Sequence, residues 1–292
     1  MFSGSLVAIV TPMHADGGLD FSAWGRLIDF HIENGTSGIV VAGTTGESAS
    51  LSDDELLQLT QRACDQAHGR IQIIAGAGSS STAATVERVR RVSQLPLDGV
   101  LIVTPAYNRP TQEGLFRHYA AVAAASRVPV IAYNVPSRTA VDMLPATVGR
   151  IAQLPRVVAV KEAVAQVSRV RELLAQVPAA FTVLSGDDAS ACDVVLAGAR
   201  GVISVTANVA PRAMAAMVAA AVKGDAEGAR QLDAGIAALH ENLFLETNPI
   251  PAKWALARMG LMGPGLRLPL TDLAEPFRAP LEQALRQSGA LR

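Results

Sequence analysis

The chain has 292 residues, 50% hydrophobic and only 17% charged, and its 25 basic and 26 acidic residues leave a formal net charge of -1. That balance excludes the basic surface of a nucleic-acid-binding protein, and so apolar a composition excludes a disordered chain. The only cysteines, Cys64 and Cys192, exclude a disulfide scaffold. The charged fraction lies well below the roughly 25% of soluble domains, which implies a large core and a surface partly covered in an oligomer.

Residues 6–10 are apolar but lack a basic leader and are too short for a secretory signal. The longest later candidate, 213–222, is ten residues of mostly alanine, half of what a bilayer span needs. No membrane partner is expected, and the cytoplasm is the default compartment.

Taken in chain order, short β-branched runs fall at 6–10, 38–42, 71–75, 100–103, 128–133, 157–160, 181–184 and 201–205. Each is apolar at nearly every position, the pattern of strands buried on both faces of a parallel sheet. Helical spacing occupies stretches between them, including 52–68, 82–94 and 111–126. Ser52 and Thr82 stand at N-cap positions, and Glu55 completes a capping box with Ser52. Parallel strands need crossovers, and eight strand–helix units predict an α/β fold, a (β/α)8 TIM barrel. A doubly wound sheet is the competitor, but the turn after the first strand is Thr11-Pro12-Met13, without a Gly-rich phosphate loop. Beyond residue 224 no strands are expected, and 226–242, 250–261 and 275–287 read as helices. The predicted division is a catalytic barrel over 1–224 and a C-terminal helical appendage over 225–292, packed on the barrel or on another subunit.

In such a barrel, chemistry sits where the strands end. Lys161 follows Val157-Val158-Ala159-Val160 and is one of only three lysines, with Lys223 and Lys253. A lysine at an apolar strand terminus loses the solvation that favours its ammonium form, which is how lysines become nucleophiles toward carbonyls. The bland alternative is a lysine that snorkels outward or pairs with a carboxylate. Glu162 should point to the opposite face of its strand and be structural. Tyr107 and Tyr133 both close strands within Ala-Tyr-Asn, and Thr44 is a candidate hydroxyl partner. They read equally well as amphipathic plugs at a core rim. Gly43-Thr44-Thr45-Gly46 suits a carboxylate or is merely a tight turn. Arg138 suits a second carboxylate or a surface salt bridge. Asp187-Asp188 reads as a helix cap rather than a cation site. The five histidines are scattered, and neither paired Cys/His spacing nor a P-loop occurs, so no metal or cofactor is expected.

At Gly43-Thr44-Thr45-Gly46-Glu47-Ser48, Tyr107-Asn108-Arg109-Pro110, Tyr133-Asn134-Val135-Pro136-Ser137-Arg138-Thr139, Lys161-Glu162 and Ser185-Gly186-Asp187-Asp188, the sequence resembles a known family. This is the pyruvate-dependent class I aldolase family typified by 4-hydroxy-tetrahydrodipicolinate synthase (dihydrodipicolinate synthase). The likeness runs from Met1-Phe2-Ser3-Gly4-Ser5 to Asn248-Pro249-Ile250-Pro251. It implies a Schiff-base-forming carbon–oxygen lyase in which Lys161 binds pyruvate and Tyr133, Thr44 and Tyr107 form a hydroxyl relay. Tyr107 would reach into a neighbouring subunit. Thr45 would bind the pyruvate carboxylate, Arg138 that of L-aspartate 4-semialdehyde, and Gly186 and Ile203 would line the pocket. The product would be 4-hydroxy-tetrahydrodipicolinate, the entry to diaminopimelate and lysine, and the assembly a homotetramer, a dimer of dimers.

Relatives acting on N-acetylneuraminate or 2-keto-3-deoxy sugar acids are the alternatives within the class. A catalytically silent keto-acid-binding barrel is the alternative outside it. Ala163-Val164-Ala165 and Ala140 depart from the family pattern near the second-substrate site, and Ala106 replaces an aromatic residue. Ser48 and Ala49 are retained from the cleft where sensitive relatives bind L-lysine. Asp53, Leu56, Ser80, Ala84 and Ala106 replace its usual His, His, Asn, Glu and Tyr. Weak or absent inhibition by L-lysine is therefore expected.

Overall fold

The structure is a computed structural model that describes residues 2–291; Met1, where the family likeness begins, lies outside them. Eight strands form: β1 (Gly4–Ala8), β2 (Gly38–Val41), β3 (Gln72–Gly76), β4 (Gly99–Val103), β5 (Val130–Asn134), β6 (Val157–Glu162), β7 (Thr182–Ser185) and β8 (Gly201–Ser204). They pair in sequence order as a closed parallel barrel, with β8 returning to β1 through Gly4↔Gly201 and Leu6↔Ile203. Closure settles the choice between barrel and open sheet.

Around the barrel run α1 (Phe21–Glu33), α2 (Asp53–Ala67), α3 (Thr82–Val92), α4 (Gln112–Ala125), α5 (Pro136–Thr139), α6 (Pro145–Ile151), α7 (Val167–Gln176), α8 (Ala191–Leu196) and α9 (Pro211–Val222). The tail adds α10 (Ala226–Ala234), α11 (Ala237–Asn242), α12 (Ile250–Arg258) and α13 (Glu275–Gln287). Ser52 and Glu55 form the expected capping box on α2. The cap of α3 is Ser81 rather than Thr82: Ser81 is extended and its hydroxyl accepts the Ala84 N–H at 3.3 Å. Thr82 is already helical, and its Oγ1 meets His118 Nδ1 on α4 at 3.0 Å. The stretch 226–242 is two helices rather than one. Gly235 is a poor helix former, and the chain turns there to bury Ile236.

Strand parity sorts the core into two layers. Leu6, Ala8, Val40, Ile74, Leu101, Ile131, Ala159, Leu184 and Ile203 pack inside the barrel, and Phe2 lies among them. Their neighbours Val7, Ile39, Val41, Ile73, Val100, Val160 and Val183 face outward under the helices. The outer layer continues into the tail through Ile236, Leu239, Leu243, Ile250, Leu256, Leu281 and Leu285. Residues 225–291 are thus packed on the barrel of their own chain. Among the described residues no helix is long and apolar enough to cross a membrane.

Candidate active site

The C-terminal ends of the strands open into a cavity of about 240 Å3. Six of the eight expected site residues meet on its wall: Thr44, Thr45, Tyr133, Arg138, Lys161 and Gly186.

The alternation on β6 decides which way Lys161 points. Ala159 is inside the barrel and Val160 outside, so Lys161 enters the barrel mouth. It is 5% exposed, and its Nζ stands 4.4 Å from the centroid of the Tyr133 ring. The two are register partners across β5 and β6, which is why they meet. Among the described residues Lys161 has neither an ion-pair nor a hydrogen-bond partner, so it neither snorkels nor pairs with a carboxylate. The other lysines differ. Lys253 is paired with Glu47 at 2.5 Å, and Lys223 is exposed. Gly186 keeps the space beside Lys161 open, because a Cβ there would crowd Lys161 Cε and Ala163 Cβ at 3.0 Å.

Glu162 takes the opposite face, as strand parity requires. Its buried carboxylate accepts Asn134 Nδ2 at 3.0 and 3.1 Å and the Val164 N–H at 2.9 Å. Burial pushes its carboxyl up to about 7, against the pull of those donors. Asn134 also donates to Asp142 at 2.8 Å and accepts the Met143 N–H at 2.9 Å, and Asp142 pairs with Arg169. This outward knot ties the ends of β5 and β6 and so holds Tyr133 beside Lys161.

The turn after β2 is closed by Gly46 N–H to Gly43 O at 3.1 Å and Ser48 N–H to Gly43 O at 3.3 Å. Gly46 is needed there, since a Cβ would come within 2.9 Å of Ala42 Cα. The turn presents Thr44 and Thr45 to the cavity. Thr45 Oγ1 accepts Asn248 Nδ2 at 3.0 Å. Arg138 sits on α5, makes no ion pair among the described residues, and donates to the Asn248 carbonyl at 3.3 Å. The salt-bridge alternative is absent. Thr44 and Tyr133 border both this cavity and a smaller adjoining one, with no hydrogen bond between them.

Two expected residues lie elsewhere. Tyr107 is 95% exposed, at φ +72°, and off the cavity wall. Ile203 does not line the pocket: it is 1% exposed in the inner layer, level with Leu6. Val205, two residues further along the chain, reaches the cavity instead. Of the Asp187-Asp188 pair, only Asp187 serves the turn into α8, accepting the Ser190 N–H at 3.0 Å. Asp188 turns away and accepts the N–H groups of Val205 and Thr206 at 2.9 and 2.8 Å.

Sequence reasoning missed Asn248 and Phe244, which the tail adds to the cavity. The helix-breaking Thr247-Asn248-Pro249 run was a visible signal of a loop. Nothing local shows that it folds back across 203 positions onto Thr45.

A profile of the Dihydrodipicolinate synthetase family matches residues 1–288. The chain is 52% identical over 291 residues to the 4-hydroxy-tetrahydrodipicolinate synthase of Stutzerimonas stutzeri, covering 100% of both chains. It is equally identical, with the same coverage, to the synthase of Methylococcus capsulatus. Its fold superposes with a TM-score of 0.98 on a chloride-inhibited dihydrodipicolinate synthase from Acinetobacter baumannii in complex with pyruvate, at 47% identity and 100% coverage of both chains. The full-length match in sequence and fold places this chain in the dihydrodipicolinate synthetase family.

Proposed function

We propose that the protein condenses pyruvate with L-aspartate 4-semialdehyde to give 4-hydroxy-tetrahydrodipicolinate, the entry to diaminopimelate and lysine. The observation that carries the reading is Lys161: a buried amine at a barrel mouth, without a hydrogen-bond or ion-pair partner among the described residues and against the ring of Tyr133. Its unprotonated amine attacks the ketone carbon of pyruvate, and loss of water leaves an iminium. Removal of a methyl proton gives the enamine, whose carbon attacks the aldehyde of the second substrate. The amine of that substrate then closes on the former ketone carbon and displaces Lys161.

Tyr133, whose ring centroid lies 4.4 Å from the reacting nitrogen, moves protons at the imine, with Thr44 and Tyr107 extending the relay. Thr45 holds the pyruvate carboxylate. Arg138, whose guanidinium has only the Asn248 carbonyl as a partner among the described residues, holds the carboxylate of the semialdehyde. Gly186 leaves room beside Lys161 for the adduct.

The catalytic division is 1–224, with 225–292 bracing the mouth through Asn248. The working assembly is a homotetramer in the cytoplasm, built from dimers in which Tyr107 completes the partner's relay. A tyrosine 95% exposed on a loop beside the barrel mouth supports that role.

Borohydride reduction in the presence of pyruvate tests the chemistry. The expected result is inactivation and a pyruvate-derived mass on the peptide carrying Lys161. Label on Lys223 or Lys253 instead removes the assignment. Turnover with sugar-acid aldehydes in preference to aspartate semialdehyde removes the substrate.

A further inference from the structure

Glu47 and Lys253 form an ion pair that the chemistry above does not use. Glu47 Oε1 accepts from Lys253 Nζ at 2.5 Å, with the two side chains 1% and 0% exposed. Glu47 Oε2 accepts the Arg267 N–H at 3.2 Å. Glu47 is also in the left-handed region, at φ +57°, an uncommon conformation for glutamate. Apolar residues of similar volume commonly replace a buried ion pair without loss of stability, because desolvation offsets the attraction. Stability alone therefore does not account for the pair.

What the pair does is join two pieces of the cavity wall. Glu47 lies two residues past Thr45. Lys253 lies in the first turn of α12, where its N–H bonds the Pro249 carbonyl at 2.9 Å. The residue before that proline is Asn248. It donates from its side chain to Thr45 at 3.0 Å and accepts from Arg138 on its carbonyl at 3.3 Å. A shift of α12 against the turn after β2 would therefore move Asn248 and both of its partners.

We propose that Glu47 and Lys253 are positioning residues: by seating α12 on the turn after β2, they fix Asn248 and hence the placement of Thr45 and Arg138. The inference rests on the proposed reaction, in which those two side chains hold the substrate carboxylates. Neither member of the pair lines the cavity, so the effect is on binding geometry, not on the bond-making steps.

The test is the double variant Glu47→Gln/Lys253→Met, which removes both charges together, alongside Asn248→Ala. Pyruvate half-saturation is read from borohydride trapping, the semialdehyde KM and kcat from steady-state assays, and folding from thermal melting. The double variant should melt near the wild type, raise both the pyruvate half-saturation and the semialdehyde KM at least about tenfold, and leave kcat at saturation little changed. Asn248→Ala should show the same split. Wild-type half-saturation and KM in either folded variant overturns the proposal. If the double variant does not fold, Asn248→Ala decides by the same criterion. Failure of the wild type itself to trap pyruvate is a separate result, which removes the Schiff-base reading instead.

Discussion

Replacing Glu162 with glutamine isolates the energetic consequence of placing a carboxyl behind β6. Glu162 is 2% exposed, and burial raises its carboxyl from an ordinary 4.5 to about 7. At about 1.4 kcal/mol per pH unit, that gap is worth on the order of 3 kcal/mol. Between pH 4.5 and 7 the folded protein keeps a proton that the unfolded chain has released. The associated stability is therefore complete below pH 4.5 and is lost as pH rises through 7. Glutamine has no proton to lose, and its one amide oxygen can take the place of Oε1, which accepts from both Val164 N–H and Asn134 Nδ2. Urea unfolding of wild type and variant from pH 5 to pH 8 reads the effect as a difference of two profiles, in which all other titrating groups cancel. Across that window the wild type should lose about 2.5 kcal/mol relative to the variant, most of it below pH 7, or about 4 °C in melting temperature for a chain of this length. Pyruvate trapping should persist in the variant, because the carboxyl faces away from the cavity. Parallel profiles would falsify the argument.

Three further outcomes are expected. Arg138→Ala should still trap pyruvate but lose about ten- to a hundredfold or more in turnover with aspartate semialdehyde, the cost of one charge-assisted contact of roughly 1.5–3 kcal/mol; normal semialdehyde kinetics would refute its role. Tyr119→Phe removes a buried hydroxyl that donates to the Ile102 carbonyl at 2.8 Å, and should destabilise by about 1–3 kcal/mol in denaturant unfolding. An unchanged midpoint there would mean that the carbonyl finds another donor. L-lysine should inhibit weakly or not at all: Ala84 offers no carboxylate, and Asp53 is already committed to Arg88 at 2.8 Å and Arg91 at 3.8 Å. Half-inhibition below about a millimolar, near 4 kcal/mol of binding, would overturn this.

Periodicity alone pointed to eight strand–helix units of an α/β fold, and closure of the sheet was decided by the tertiary structure. Eight apolar runs with helical spacing between them admit few closed arrangements, and strand alternation put Lys161 and Glu162 on opposite faces; the closed barrel decided that the Lys161 face is the inner one. A strand's parity and a cap's identity are local properties that depend on a handful of neighbouring residues. Even so, the cap moved from Thr82 to Ser81, because adjacent hydroxyl residues are equally good caps in sequence and only the backbone conformation separates them.

The site was legible wherever chemistry-bearing residues close strands, as with Lys161, Tyr133 and Thr44-Thr45, because the barrel sends every strand end to one mouth. Depth along a strand was not legible. Ile203 packs a layer below the mouth while Val205 reaches it, a difference set by how far β8 is staggered against β1. Nor could sequence show the long-range partners. Asn248 meets Thr45 across 203 positions and Lys253 meets Glu47 across 206. Such contacts follow from the way the tail helices pack over the barrel rim, and no spacing within either segment encodes them.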